Sequence, residues 1–442
     1  VESRGLGDVY KRQAMLELRR NGGGPVHINL ITTYSRDFSV KELPHVKVMR
    51  RFQAWDELPV LPEGRIGIYV GSHTHFSEKQ NRAIDRFCAT YDAVVICDHT
   101  SGYYGKYKLL PTLVQLQSDI TSPFPPLDLM VHIGEISAAS FNDTIPAKEV
   151  WRVSEDGELR DPFKKLTTVF QMSEEMFFLH YGKDGCNRHV LIDECRELFG
   201  EIYEQIPELP FCNIWTAMQL SSRLPKGALF HMGVSNTRRC WNMFQLPESV
   251  ESACNVGCCG IDGCVSTLVG ASLVNPDRLC YVVVGDLTFF YDLNSLGNHH
   301  IGTNLRVMLV NNGRGTEFRL GIHHCNVFGD DADKYMAAAG HFGNKSPLLV
   351  KHYAEDLGFH YLSATTKEEF MTALSNFTNP QLSDHSMILE VFTDSKDESE
   401  ALYLMSHIQS DAKGMVRSKL KDAVRNVAGE KGINAIKKIL KK

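Results

Sequence analysis

No apolar run in this chain approaches the ~20 residues that a helical membrane span requires. Neither sign of charge dominates: 47 Lys and Arg stand against 53 Asp and Glu, a net charge of −6, so nothing global points to nucleic acid. The twelve cysteines are scattered without a disulfide-scaffold pattern, in a chain of 442 residues that is far too long to need one. They fit a reducing cytosol, and a cytoplasmic protein is expected. No internal repeat, low-complexity tract or secretory signal stands out. There is no initiator Met, and residues 1–13 (VESRGLGDVYKRQ) lack apolar periodicity; they are read as a non-native leader and excluded from fold reasoning. What is present is ordinary for a globular protein, with 43% hydrophobic and 23% charged residues and length for two or three domains.

The most informative stretch runs from Cys280 to Phe318. An apolar run, Tyr281 to Val284, ends in Gly285-Asp286. A helical stretch is expected over Phe289 to His299, and a second apolar run, Val307 to Val310, ends in Asn311-Asn312. This is one strand–helix–strand unit. With a right-handed crossover both strands end at one edge of a parallel sheet, which makes Asp286 and Asn312 neighbours. A carboxylate and an amide oxygen at one edge suit a hard divalent cation such as Mg²⁺.

Gly-Asp, a spacer of somewhat under thirty residues and Asn-Asn resemble the signature of thiamine diphosphate (ThDP) enzymes. The wording GDLTFFYDLN…VNNGRG, with Tyr291-Asp292-Leu293-Asn294, is closer still to the MenD family, the 2-succinyl-5-enolpyruvyl-6-hydroxy-3-cyclohexene-1-carboxylate synthases. The resemblance implies an α/β ThDP-binding fold: parallel sheets with helices on both faces, a Rossmann-like central spacer domain and a diphosphate-binding domain. It also implies Mg²⁺ (or Mn²⁺) held by Asp286, Asn312 and the backbone carbonyl of Arg314, with Gly285 and Leu287 beside the cofactor.

Along the chain, residues 14–33 read as a helix end, a Gly-rich turn at Gly22-Gly23-Gly24 and a strand from Pro25 to Leu30. The wording GPVHINL resembles the close of the family's first, pyrimidine-binding domain, so 14–33 is expected to be its remnant. The activating glutamate would then lie upstream, and no catalytic residue is named. Residues 34–60 read as a linker. The runs 64–71, 93–97 and Leu127 to Ile133, with a helix over Glu78 to Tyr91, give a small α/β domain over 61–175. Gly71-Ser72-His73-Thr74-His75 lacks the full dinucleotide fingerprint, and Trp151 to Phe163 resembles the family's cofactor-free spacer. Residues 188–408 form the diphosphate- and Mg-binding domain, with a helix over Val190 to Ile206. Residues 411–442 hold ten Lys or Arg against three Asp or Glu, a local +7 that leaves −13 on the remainder. Val416, Leu420, Val424 and Val427 sit at helical spacing. This basic amphipathic tail either packs on its own protein or meets a partner or an anionic membrane.

Further segments match the family. Gly233-Val234-Ser235-Asn236-Thr237-Arg238-Arg239 follows a strand, and the resemblance places Ser235 at the cofactor and Arg239 at the substrate. A guanidinium offers a bidentate fork to a carboxylate or phosphate. In Cys254-Asn255-Val256-Gly257-Cys258-Cys259-Gly260-Ile261-Asp262-Gly263 the family pattern is NRGASGIDG. Gly260 lets backbone amides approach the cofactor, Ile261 matches the apolar wedge beneath it, and a helix over Val265 to Ala271 presents its positive end. Phe318 is kept as a pocket residue. Cys254, Cys258, Cys259 and Cys264 crowd this turn, but their spacing matches no standard zinc or iron–sulfur ligand pair. His299-His300 and His323-His324 read as polar rim. Two departures stand out: Val256 replaces the family's substrate-contacting Arg, and Glu317 replaces an apolar residue before Phe318. Both disfavour a dianionic substrate such as isochorismate.

The resemblance implies decarboxylation of a 2-oxo acid, with 2-oxoglutarate as the family's donor, and addition to an acceptor, isochorismate in menaquinone biosynthesis. The partners are then small molecules, with a homodimer or homotetramer, or a separate pyrimidine-domain subunit, completing the site. A ThDP carboligase or decarboxylase with another acceptor, a non-catalytic ThDP-binding subunit and a nucleotide-binding α/β protein remain open beside it.

Overall fold

The computed structural model of the chain describes residues 11–29, 48–120, 124–135, 145–257, 259–341, 346–411 and 415. The expected tail from 416 onwards, Leu30 and Cys258 lie outside the described residues. Two compact units emerge, the first holding Tyr103–Leu109 and Phe124–Arg196 with the chain up to Cys97, the second holding Asp98–Gly102, Leu110–Pro123 and the chain from Glu197.

The first unit is built on seven strands: β1 (Arg50–Gln53), β2 (Ile66–Val70), β3 (Val94–Ile96), β4 (Lys108–Leu109), β5 (Leu127–Ile133), β6 (Ala147–Ser154) and β7 (Leu166–Gln171). Their order is β1-β7-β6-β5-β2-β3-β4, and every pairing is parallel. Parallel strands covered on both faces read as unbroken apolar runs, and β2 and β3 are buried at every position. The helix Glu78–Tyr91 falls where its periodicity predicts. Ser77 caps it: its hydroxyl accepts from the Gln80 N–H at 3.3 Å while its own N–H donates to Gln80 Oε1 at 2.9 Å. Ser77→Ala is expected to cost about 1 kcal/mol, read as a lower urea midpoint with an unchanged slope; an unmoved midpoint would show the cap to be idle.

Gly71 ends β2 where a Cβ would lie 1.8 Å from the Glu135 carbonyl oxygen. Ser72 and Glu135 exchange both backbone hydrogen bonds at 2.8 Å. The glycine after β2 therefore serves the close approach of two strand ends, not a phosphate turn.

Three local expectations are corrected. Residues 25–29 form no strand; they follow a short 3₁₀ turn, Arg20–Gly22, with Gly22 and Gly23 at positive φ. The outermost strand β1 lies within the stretch read as linker. Neither β6 nor β7 was anticipated; in β6, buried Arg152 and the Lys148-Glu149 pair break the apolar pattern of AKEVWRVS.

The second unit carries six parallel strands: β8 (Leu229–Met232), β9 (Glu251–Cys254), β10 (Cys280–Gly285), β11 (Leu305–Asn311), β12 (His360–Ala364) and β13 (Met387–Phe392), in the order β12-β13-β11-β10-β8-β9. β10 and β11 are central, and Val282, Val284, Phe289, Val307, Leu309 and Ile388 belong to one core cluster. Arg306 is fully buried within β11, but its donors reach the Thr303 and Leu305 carbonyls and Ser383 Oγ. From β8 the chain moves outward to β9, then returns to the other side of β8 for β10. The carboxyl ends of β8 and β10 therefore flank the switch point, where open α/β sheets place ligands. No helix of the described residues is long and apolar enough to cross a membrane.

Candidate functional site

The helix after β10 begins at Asp286 itself and ends at Tyr291; a 3₁₀ turn, Leu293–Gly297, follows. The single helix expected over 289–299 is therefore split. The break falls at Asp292, whose backbone leaves helical geometry and whose Oδ2 accepts the Ser266 N–H at 2.6 Å. Ser266 lies in the first turn of the helix Cys264–Val274, so this carboxylate sits on the positive helix end expected to face the cofactor.

Register brings the two halves of the expected cation site together. Gly285 pairs with Val310, so Asp286 lies alongside Asn311, one residue before Asn312. Asp286 is 2% exposed. Its Oδ1 accepts the Leu287 N–H at 2.8 Å, and its Oδ2 lies 3.1 Å from His341 Nε2. Asn312 Oδ1 is buried with no hydrogen-bond partner. An unsatisfied buried oxygen is costly, and one at a sheet edge beside a buried carboxylate is what a cation ligand looks like before its cation. A Cβ built on Gly285 would meet nothing within 4 Å, so space is open beside the strand end. The residues present therefore fit a divalent ion and the diphosphate it would carry.

Around that centre, Gly313 has φ +77 and its carbonyl accepts the Gly340 N–H at 3.1 Å, which turns the chain back after β11. The Arg314 guanidinium donates twice to Asp333, at 3.0 and 2.9 Å. Leu287 and Phe318 meet over Gly315: a Cβ there would lie 3.2 Å from a carbon of each. Ser235 is exposed, with φ +60 and ψ −117, a strained backbone for a residue with a side chain. Gly260 and Ile261 are half-buried in the turn that leaves β9, and Val256 is buried. The carboxyl ends of β8, β9, β10 and β11 thus bring Ser235, Arg239, Ile261, Asp286, Asn312 and Phe318 to one edge of the sheet.

Arg239 is not a free fork. Its Nη1 donates to Glu317 Oε2 at 2.9 Å and its Nη2 to Glu317 Oε1 at 2.7 Å. Neighbouring Arg238 turns instead toward buried Asp98, with Nη1 3.6 Å from Oδ2.

Sequence reasoning missed three groups. His341 lies far from Asp286 along the chain, and no motif announces it. Glu390, buried on β13, accepts from Asn311 Nδ2 at 2.7 Å and from the Tyr361 hydroxyl at 2.7 Å. Burial pushes its carboxyl above the ordinary range, and the charge of Asp286 adds to that. This network braces the corner that carries Asn312. His231 on β8 is held neutral, its pKa lowered to about 4 by burial.

Burial pushes the Cys254 thiol up to about 12 and that of Cys264 up to about 11. Among the described residues no group of three His, Cys, Asp or Glu could hold a metal. His299 and His300 lie against each other at the surface with their rings tilted by 40°, while His323 packs edge-on against Phe318.

No family model matches the chain. Among curated proteins, the 2-succinyl-5-enolpyruvyl-6-hydroxy-3-cyclohexene-1-carboxylate synthase of Bacteroides thetaiotaomicron is 28% identical over 418 residues, covering 88% of this chain and 71% of the relative. The synthase of the same name from Bacteroides fragilis is 29% identical over 423 residues with the same coverage. That of Christiangramia forsetii is 33% identical over 199 residues, 45% of this chain and 33% of the relative. Alignments of this length, together with the Gly285-Asp286 and Asn311-Asn312 corners at one edge of a parallel sheet, agree on what the chain is similar to: the 2-succinyl-5-enolpyruvyl-6-hydroxy-3-cyclohexene-1-carboxylate synthases, over 88% of its length.

Proposed function

We propose that this chain provides the diphosphate- and metal-binding part of a decarboxylase–carboligase of the MenD type. A 2-oxo acid loses CO₂, and the remaining carbon unit joins an acceptor. The relatives carry the name of a synthase of menaquinone biosynthesis that joins 2-oxoglutarate to isochorismate; in this chain Val256 and Glu317 favour a less anionic pair of substrates. The observation that carries the reading is the buried, unpartnered Asn312 Oδ1 beside buried Asp286.

Thiamine diphosphate, when bound, supplies the electron sink for the carbon chemistry. The chain's own residues bind and orient. Asp286, Asn312 Oδ1 and the Arg314 carbonyl would hold Mg²⁺, a cation that takes few protein oxygens and completes its shell with phosphate and water. Gly285 and Gly260 allow the backbone to come close. Ile261 and Leu287 offer apolar surface to the rings, and Ser235 offers a hydroxyl at the rim. Phe318 and Leu287, packed over Gly315, keep water from that side of the pocket. A pyrimidine-binding domain, from a second copy or a separate subunit, would complete the site.

Calorimetric titration of ThDP tests this directly. Binding is expected only with Mg²⁺ present. Binding of equal strength with EDTA, or none even with the pyrimidine-binding domain supplied, removes the proposal.

A further inference from the structure

The arginines at the rim of this site are already engaged by carboxylates of the same chain. Four arginines follow β8 and β11 on the edge described above, and each already faces a carboxylate. Arg238 faces Asp98 at 3.6 Å, Arg239 grips Glu317, Arg314 grips Asp333, and Arg319 lies 3.3 Å from Asp333. Between β10 and β11 the sequence has no Lys or Arg at all, and between β9 and β10 it has only Arg278, immediately before β10. Val256, in the turn after β9, is buried and apolar.

The Arg239–Glu317 pair is the telling one. Arg239 comes from the segment after β8 and Glu317 from the segment after β11, and β10 lies between those two strands. The pair therefore bridges the end of β10, where Gly285 and Asp286 sit. Its two parallel bonds match fork to fork, the geometry a substrate carboxylate would itself use. The side chains are 25% and 20% exposed. A substrate carboxylate could reach Arg239 only by displacing Glu317, and that would leave a second, unpaired carboxylate in a confined space. Leaving such a charge unpaired is a strong element of discrimination.

Resting on the ThDP reading of this site, we propose that Glu317 is a specificity-determining residue: by occupying Arg239 it makes the pocket select a 2-oxo acid with an uncharged side arm over a dicarboxylic 2-oxo acid. Glu317 here acts through charge and not by touching the reacting atoms.

The test uses 2-oxopentanoate and 2-oxoglutarate, which match in backbone length and differ in the distal carboxylate. Each is titrated into the full chain, with and without ThDP and Mg²⁺, for the native protein and for Glu317→Gln and Arg239→Gln. The native chain is expected to bind 2-oxopentanoate at least tenfold more tightly. Glu317→Gln, which releases the fork, should gain at least tenfold for 2-oxoglutarate and change less than threefold for 2-oxopentanoate. Arg239→Gln, which strands Glu317, should weaken 2-oxoglutarate further; a general folding defect would move both acids together in both variants. An unchanged ratio in Glu317→Gln, a native preference for 2-oxoglutarate, or no binding of either acid to any of the three proteins overturns the proposal. ThDP binding without charge discrimination removes this inference and leaves the cofactor reading standing; discrimination without ThDP binding does the reverse.

Discussion

Asp286→Ala is expected to weaken Mg²⁺-dependent ThDP binding by at least 100-fold while the protein remains folded. A 100-fold loss corresponds to about 2.7 kcal/mol, a modest figure for removing the one anionic ligand of a divalent ion. Asp286 is buried, sits at the mouth of β10 and lies alongside the Asn311-Asn312 corner. Its contributions to local structure are a bond with its neighbour's N–H and a contact with His341. Losing these, and a carboxylate in the first helical turn, should cost stability on the order of 1 kcal/mol. Affinity and stability should therefore separate: calorimetry records the loss while circular dichroism and the urea midpoint change little. Asp286→Asn, which keeps shape and loses charge, should fall between the two. Equal affinity in native protein and Asp286→Ala would place the cation elsewhere.

Glu398 should withdraw stability from the chain as pH rises from about 4.5 to about 7, against the opposite contribution of buried His231, whose pKa is lowered to about 4. Glu398 lies on the helix Ser395–Ser406, 2% exposed. Its Oε1 accepts from the Asn213 N–H at 3.0 Å and the Thr393 hydroxyl at 2.9 Å, and its Oε2 has no partner. Burial raises its pKa to about 7, with Asp394 and Asp397 adding to the shift and the two hydrogen bonds opposing it. The folded pKa lies above the unfolded one, so the folded state holds the proton more tightly. The stabilisation is complete below the unfolded pKa near 4.5 and is gone once pH passes about 7. A shift of this size is worth about 3 kcal/mol. Relative to native protein, Glu398→Gln should raise the urea midpoint at pH 8 more than the midpoint at pH 5. Glu390 and Asp161 are raised in the same direction, while His231 and His132, lowered by burial, slope the opposite way; all four remain in the variant and cancel in the comparison with native protein. Parallel pH profiles for native and variant protein would acquit Glu398.

How much was legible beforehand depended on whether the signal was local. The apolar runs of β2, β5, β10 and β11 and the helix Glu78–Tyr91 were readable because burial on both faces, or on one stripe, writes itself into consecutive residues. The meeting of Asp286 with the Asn311-Asn312 corner was readable because a strand end fixes where each emerges. β6 was hidden by an arginine buried inside it, and the helix break at Asp292 was hidden because its cause, the Ser266 N–H, lies 26 residues away. Glu317 could be seen as an intruding acid; that it would take hold of Arg239, 78 residues earlier, could not. Pairings of that kind are set by strand order, which single residues do not announce.

Asp292 on the helix Cys264–Val274 has one more consequence. A helix start that already carries an internal carboxylate has little positive potential to offer a diphosphate. On the proposed reading, compensation of the cofactor's charge then falls to the cation, so metal and cofactor become strongly linked ligands. Each raises the other's affinity by the same factor, as thermodynamic reciprocity requires. Cation supply would thus act as a throttle on cofactor loading even where the vitamin itself is plentiful.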